Sequence, residues 1–364
     1  MQLAAILIVC LVLFVVLAMV CAMVAADGPP DRARNDLESS VVHDRIVFPE
    51  IDMDDPPAAC VRSVARHLNR GERGHVHYET EGDFSPEGVR TRPNLLLVSG
   101  GPGFSHLGFH PEFSWFAENG ANVVYYDQRG TGRSSRNTDE DGRYTVKQMV
   151  DDIEGLRAHL GIDQLVLVGW SYGGYLTRAY ALAHPGRVAG MVMLASSMDG
   201  LSGLEGAEFR GDLDKYISGK EIARIDEIER LDLPAHVKWY NKQINGLWKR
   251  QKLYKPSSEV LAAAAVHGWK HDTRPGHDFR SEIFADMRTN GAGHDGVKDL
   301  DVPVIVVEGE HDLTFSAKKR REFPGRFKDP VTVVFGNSAH APFKDEPELF
   351  RATMVQFLRR IKRG

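Results

Sequence analysis

The sequence predicts an α/β protein: a mostly parallel sheet covered by helices on both faces, with a helical lid inserted between two of its strands. Three observations predict it. Short, continuous apolar runs alternate with segments whose apolar residues recur at helical spacing, the pattern of strands buried on both faces. Most of these runs end in glycine-rich turns, which places the turns together at the carboxyl edge of the sheet, where such folds bind ligands. From about residue 198 to 298 the strand pattern lapses and the chain reads as helical and polar, as an inserted lid would.

In chain order, residues 3–26 come first and carry no charge. A helix over them would rise about 36 Å, against a hydrocarbon core of about 30 Å. Two readings stand. The small residues Val24, Ala25 and Ala26 resemble a signal-peptidase site. Against that, the apolar stretch is longer than an ordinary signal core and no Lys or Arg precedes it, which favours a retained anchor and membrane association through 3–26. Either reading makes the remaining domain exported. Residues 27–44, with Gly28-Pro29-Pro30, are a linker, and the core is expected over 45–197 and 299–364.

Within the core, "HVHYETEG" (75–82) has strand alternation, and "NLLLVSGGPG" (94–103) is a buried strand entering a glycine turn. "ANVVYYDQRGTGRSS" (121–135) repeats that plan. Thr145 and Gln148 fit a capping box, opening a helix along which Val146, Met149, Val150, Ile153, Leu156 and Leu160 recur at helical spacing. "QLVLVGWSYGG" (164–174) and "AGMVMLASS" (189–197) are the next strands. After the lid come "VPVIVVEGEHD" (302–312) and "VTVVFGNSAH" (331–340), then a helix from near Asp345 expected to bury Leu349, Phe350, Met354, Phe357 and Leu358.

The turn Gly169-Trp-Ser-Tyr-Gly-Gly174 matches G-x-S-x-G between a strand and a helix, the nucleophile elbow of α/β hydrolases. A turn that sharp leaves no room for flanking side chains and pushes the Ser171 hydroxyl outward. A serine nucleophile needs a base, and the base an orienting carboxylate. In this fold they follow in the order Ser, acid, His, each after a later strand. Asp312 and His340 meet those conditions; Glu308 and Glu310 are the competing acids, but only Asp312 lies in the turn beyond the strand. The oxyanion formed on attack needs backbone donors, expected from the N–H of Tyr172 and from Gly101 in the turn 99–103.

These residues carry a resemblance. Gly100-Gly-Pro-Gly103, Asp127-Gln-Arg-Gly-Thr-Gly-Arg-Ser134, "GWSYGG", the Gly309-x-x-Asp312 turn and His340 together resemble the proline iminopeptidase family of α/β hydrolases, over about 60–200 and 300–362. The resemblance implies a Ser-His-Asp hydrolase that releases N-terminal residues, often proline, from small peptides through an acyl-enzyme. It differs from the family in carrying Ser99 where a histidine usually precedes Gly-Gly-Pro-Gly. The family's ammonium-binding lid glutamates have no positional match here, although residues 199–232 hold ten acidic against five basic side chains. Trp239, Tyr240, Trp248 and Trp269 are expected to pack the lid. Asp127 and Arg129 are expected to form a structural ion pair, and their glycine turn lacks the G-K-[ST] ending of a phosphate loop.

Bulk properties exclude other classes. A formal net charge of −5 over 364 residues gives no nucleic-acid footprint. Cys10 and Cys21 lie in the apolar leader and Cys60 stands alone, so the folded part has no internal disulfide. No metal and no organic cofactor is expected, because no Cys/His cluster has ligand spacing. A carboxylic ester or lactone is the alternative substrate, since one triad serves both and the pocket decides. A serine at the elbow argues against epoxide hydrolases and dehalogenases, which carry Asp there. A non-catalytic binding module that kept the hydrolase shell is the remaining reading.

Overall fold

A computed structural model describes residues 64–69, 74–109, 112–138, 142–196, 230, 278–290, 294–312 and 314–361, all within the unit Ala58–Gly364. The leader, the linker, Cys60 and the lid aromatics fall outside the described residues.

Eight strands form one sheet in the order β1-β2-β4-β3-β5-β6-β7-β8. They are β1 Val64–Asn69, β2 His75–Glu81, β3 Asn94–Val98, β4 Asn122–Tyr126, β5 Leu165–Trp170, β6 Val188–Leu194, β7 Val304–Gly309 and β8 Val331–Phe335. β1, β2 and β4 pair antiparallel, and every pairing from β4 through β3 to β8 is parallel. This is an α/β-hydrolase sheet, and each apolar run named above becomes one of its strands. β1 was not legible, because Val-Ala-Arg-His-Leu-Asn lacks the apolar continuity of an inner strand and is held by pairing along β2.

Side chains alternate across the sheet with period two, so each strand feeds two cores. Leu96 and Val98 of β3, with Leu165 and Leu167 of β5, enter one core; Leu95 and Leu97, with Val166, Val168 and Trp170, enter the other. The first core is closed by helices α2 (Val146–His159) and α3 (Tyr172–Ala183), the second by α1 (Ser114–Glu118) and a C-terminal helix (Pro347–Ile361). The capping box of α2 is formed: Thr145 accepts from the Gln148 N–H, and the Gln148 side chain accepts from the Thr145 N–H. On the C-terminal helix Phe350, Met354, Phe357 and Leu358 are buried, but Leu349 is 45% exposed. The apolar stripe recurs at i, i+4, i+7 and i+8 from Phe350, and Leu349 stands about 100° off it.

The chain leaves the sheet after β6 and returns at β7, and these two strands pair directly, Met191 opposite Val304. The long excursion between them is where the lid was expected. Its last stretch belongs to the sheet's covering layer instead: α4 (Phe279–Thr289) buries Phe279, Ile283 and Met287 in the first core. Glu282 and Asp286 of α4 accept the backbone N–H groups of Tyr144 and Val146, at 2.7 and 2.8 Å. Three apolar positions on a polar helix are a weak signal until the partner surface is known.

Candidate active site

β5 ends at Trp170 and α3 begins at Tyr172, so Ser171 alone makes the turn, at φ 56° and ψ −123°. For a residue with a side chain that backbone costs about 1–3 kcal/mol and persists only where the surroundings impose it. Here they do. The Ser171 N–H donates to the Leu194 carbonyl at 2.9 Å, and the Ser196 hydroxyl donates to the Ser171 carbonyl at 2.6 Å. Strand and helix cross so closely that a Cβ on Gly169 would lie 2.6 Å from the Gly174 Cα, which explains the glycines.

Asp312 and His340 come together from the turns after β7 and β8, with the His340 Nδ1 2.9 Å from the Asp312 Oδ2. The turns are laced by backbone bonds from Glu310 to Phe335 and from His311 to Ser338, at 2.9 and 3.0 Å. Asp312 is 1% exposed, and its other oxygen accepts the Thr314 N–H at 2.7 Å. Burial pushes its pKa up, but the charge and hydrogen bond of His340, the Thr314 N–H and Arg320 outweigh that and hold the carboxyl below its ordinary range. Of the rival acids, Glu308 is buried in β7 and Glu310 is exposed. His340 is tied to the elbow, because the Trp170 indole N–H donates to the His340 carbonyl at 2.7 Å. Asp312 and His340 thus meet beyond β7 and β8, and Trp170 ties His340 to the end of β5, one residue before Ser171.

The loop after β3 lies over the serine. A Cβ on Gly100 would meet the Ser171 Cβ at 2.9 Å and its Oγ at 3.5 Å, so only glycine lets the backbone approach. Gly101 follows at φ +117°, and Tyr172 is the first helical residue of α3, whose N–H has no intrahelical acceptor. Ser99 anchors this loop: its hydroxyl donates to the Ser105 carbonyl at 3.1 Å, while Gln128 Nε2 donates to the Ser99 carbonyl at 2.9 Å.

The expected Asp127–Arg129 pair does not form. Asp127 Oδ1 accepts both the backbone N–H and the ring Nδ1–H of His106, each at 2.9 Å, and Oδ2 accepts the Arg133 N–H at 2.9 Å. Arg129 forks onto Asp152 of α2, with two contacts of 2.6 Å. Bidentate pairing suits a planar guanidinium, and that partner is 23 residues away in sequence. Burial pushes the His106 pKa down, but the hydrogen bond it donates to Asp127 and the charges of Asp127 and Glu79 raise it to about 9.

Sequence reasoning also missed a cluster. His77, Glu79 and His106 are buried, with one ligand atom from each within 4.8 Å of the others. His77 and Glu79 share a face of β2 at i and i+2, a visible signal; His106 joins them only through the loop.

Comparison with known proteins agrees with this fold. The α/β hydrolase fold family matches residues 93–347. The proline iminopeptidase of Lactobacillus helveticus is 35% identical over 304 residues, covering 79% of this chain and 97% of the relative. That of Saccharolobus solfataricus is 40% identical over 291 residues, covering 74% and 85%. Among solved structures, the proline iminopeptidase of Mycobacterium smegmatis superposes with a TM-score of 0.60 at 22% identity, covering 82% of this chain and 98% of that one.

Proposed function

This chain belongs to the proline iminopeptidase family of α/β hydrolases, and we propose that it releases N-terminal residues, proline among them, from small peptides by way of an acyl-Ser171 intermediate. The observation that supports the reading is the 2.9 Å Asp312–His340 contact, tied through the Trp170 indole to the strained strand-to-helix turn that holds Ser171.

In this reaction Ser171 Oγ attacks the carbonyl carbon while its proton passes to His340 Nε2. Asp312 holds Nδ1–H, sets the tautomer and stabilises the imidazolium. The oxygen of the tetrahedral intermediate is met by the N–H groups of Gly101 and Tyr172. Collapse breaks the C–N bond, and His340 gives its proton to the leaving amine. Water, deprotonated by His340, then attacks the acyl-enzyme, and the proton returns to Ser171 as the acid departs.

A paired assay tests it. Proline p-nitroanilide, its N-acetylated form and p-nitrophenyl butyrate are compared on wild type and Ser171→Ala. Turnover of the free amine that is Ser171-dependent and largely lost on acetylation is the expected result. Ester turnover alone would replace the aminopeptidase with an esterase, and activity that survives Ser171→Ala would remove the nucleophile.

A further inference from the structure

We propose that His77, Glu79 and His106 form a divalent metal site, of a type that suits Zn²⁺, clamping β2 to the loop that covers Ser171.

The cluster has ligand geometry. Glu79 Oε1 lies 3.4 Å from His77 Nε2 and 3.3 Å from His106 Nε2. These separations are long for hydrogen bonds, which run about 2.7–3.2 Å. They match the edge of a tetrahedron around zinc: bonds of about 2.0–2.1 Å imply ligand–ligand distances of about 3.3–3.4 Å. The third edge, between the two imidazole nitrogens, is within 4.8 Å and closes as the rings turn inward. All three residues are buried, at 1%, 7% and 1% exposure, so the ligand atoms are shielded from solvent, and a metal would displace the second ring proton that His106 carries.

The surroundings have the form that orients metal-binding histidines, whose second nitrogen is held by a neighbour. His106 Nδ1 is held by Asp127 at 2.9 Å, and His77 Nδ1 contacts His67 Nε2 at 3.2 Å. Both arrangements turn Nε2 toward Glu79. Glu79 and Asp127 bring two buried carboxylates, and the Arg133 guanidinium that lies 3.4 Å from Glu79 Oε1 has a side chain 55% exposed, free to yield its place to a dication. Two imidazoles and one carboxylate, with no thiolate, favour zinc among the metals that take nitrogen and oxygen, and three protein ligands leave a fourth position for water.

Its effect is mechanical. His106 closes the loop that begins at Ser99, and Asp127 joins it to the end of β4. A metal here joins β2 to both, and steadying Gly101 is its consequence if Gly101 is the oxyanion donor proposed above. Metal binding itself does not depend on that reading.

The test titrates ZnCl₂ into chelator-stripped, refolding-checked full-length protein by calorimetry, with a thermal melt alongside. One zinc per chain and a raised melting temperature are expected. Glu79→Gln should abolish both, and His67→Ala, which removes the support of His77 without removing a ligand, should weaken binding about 10–100-fold. Absorption-edge spectroscopy on the loaded wild type supplies a reading that needs no variant, and should count two imidazoles and no sulfur. The proposal is overturned if folded wild type takes up no zinc, if Glu79→Gln binds as wild type does, or if the metal's shell contains another number of imidazoles. Each readout is separate from hydrolysis, so loss of the proposed activity leaves this result standing, and the reverse.

Discussion

Gly100→Ala tests the placement of the loop over the serine. The new Cβ would sit 2.9 Å from the Ser171 Cβ and 2.9 Å from the Trp170 carbonyl oxygen. Carbon pairs rest at about 3.5–4.0 Å, so loop and elbow must separate by about 0.6–1.1 Å. Neither side yields freely. The elbow is fixed by Leu194 and Ser196, and the loop by Gln128 through the Ser99 carbonyl. Misplacement by about 1 Å costs on the order of 10²-fold in rate. A loss of about 10–100-fold in kcat/KM is therefore expected, or about 1.4–2.7 kcal/mol of transition-state stabilisation. The assay is kcat/KM on an activated ester and on proline p-nitroanilide, with circular dichroism to establish folding and the rate of fluorophosphonate labelling to report on Ser171 itself. Gly186→Ala is the control, since nothing lies within 4 Å of its added Cβ. Gly100→Ala activity within threefold of wild type would refute the argument that this backbone overlies the nucleophile.

Other perturbations have defined outcomes. Asp312→Asn should lower kcat by about 10³–10⁴-fold with the fold retained, in line with the same change in serine proteases, and a kcat within tenfold of wild type would remove Asp312 from the triad. Asp152→Ala leaves the Arg129 guanidinium buried without its carboxylate and should cost about 3–5 kcal/mol in urea unfolding, whereas a cost below about 1 kcal/mol would mean the pair is not buried in solution. Thr145→Ala removes the cap of α2 and should cost about 1 kcal/mol, read from the same titration. The Asp312 pKa is depressed on folding, so its contribution to stability is present above the ordinary carboxylate pKa of about 4 and is lost as pH falls through the lower folded value. The stability difference between wild type and Asp312→Asn should be flat above about pH 4 and shrink below it; a difference that grew on acidification would contradict the sign.

The strands of the inner sheet, the capping box and the elbow were determined by sequence alone, because each rests on local patterns: continuous apolar runs, a four-residue cap, and a serine between glycines. The same holds for the choice of Ser171, Asp312 and His340 as candidates, which needed only chain order and strand ends. The family followed from the motifs around them. Partner choice was decided by tertiary structure. Arg129 and Asp127 are two residues apart, yet one turns to Asp152 on a helix and the other to His106 on a loop, since burial rewards the best fork and the best cap rather than the nearest charge. The apolar stripe of α4 joins the core for a similar reason, as its three buried residues have meaning only against α2 and α3. The Ser99 hydroxyl reaches the Ser105 carbonyl, and His106, seven residues on, enters the cluster with His77 and Glu79. Such gatherings depend on distances between segments far apart in the chain, and packing, not pattern, sets those distances.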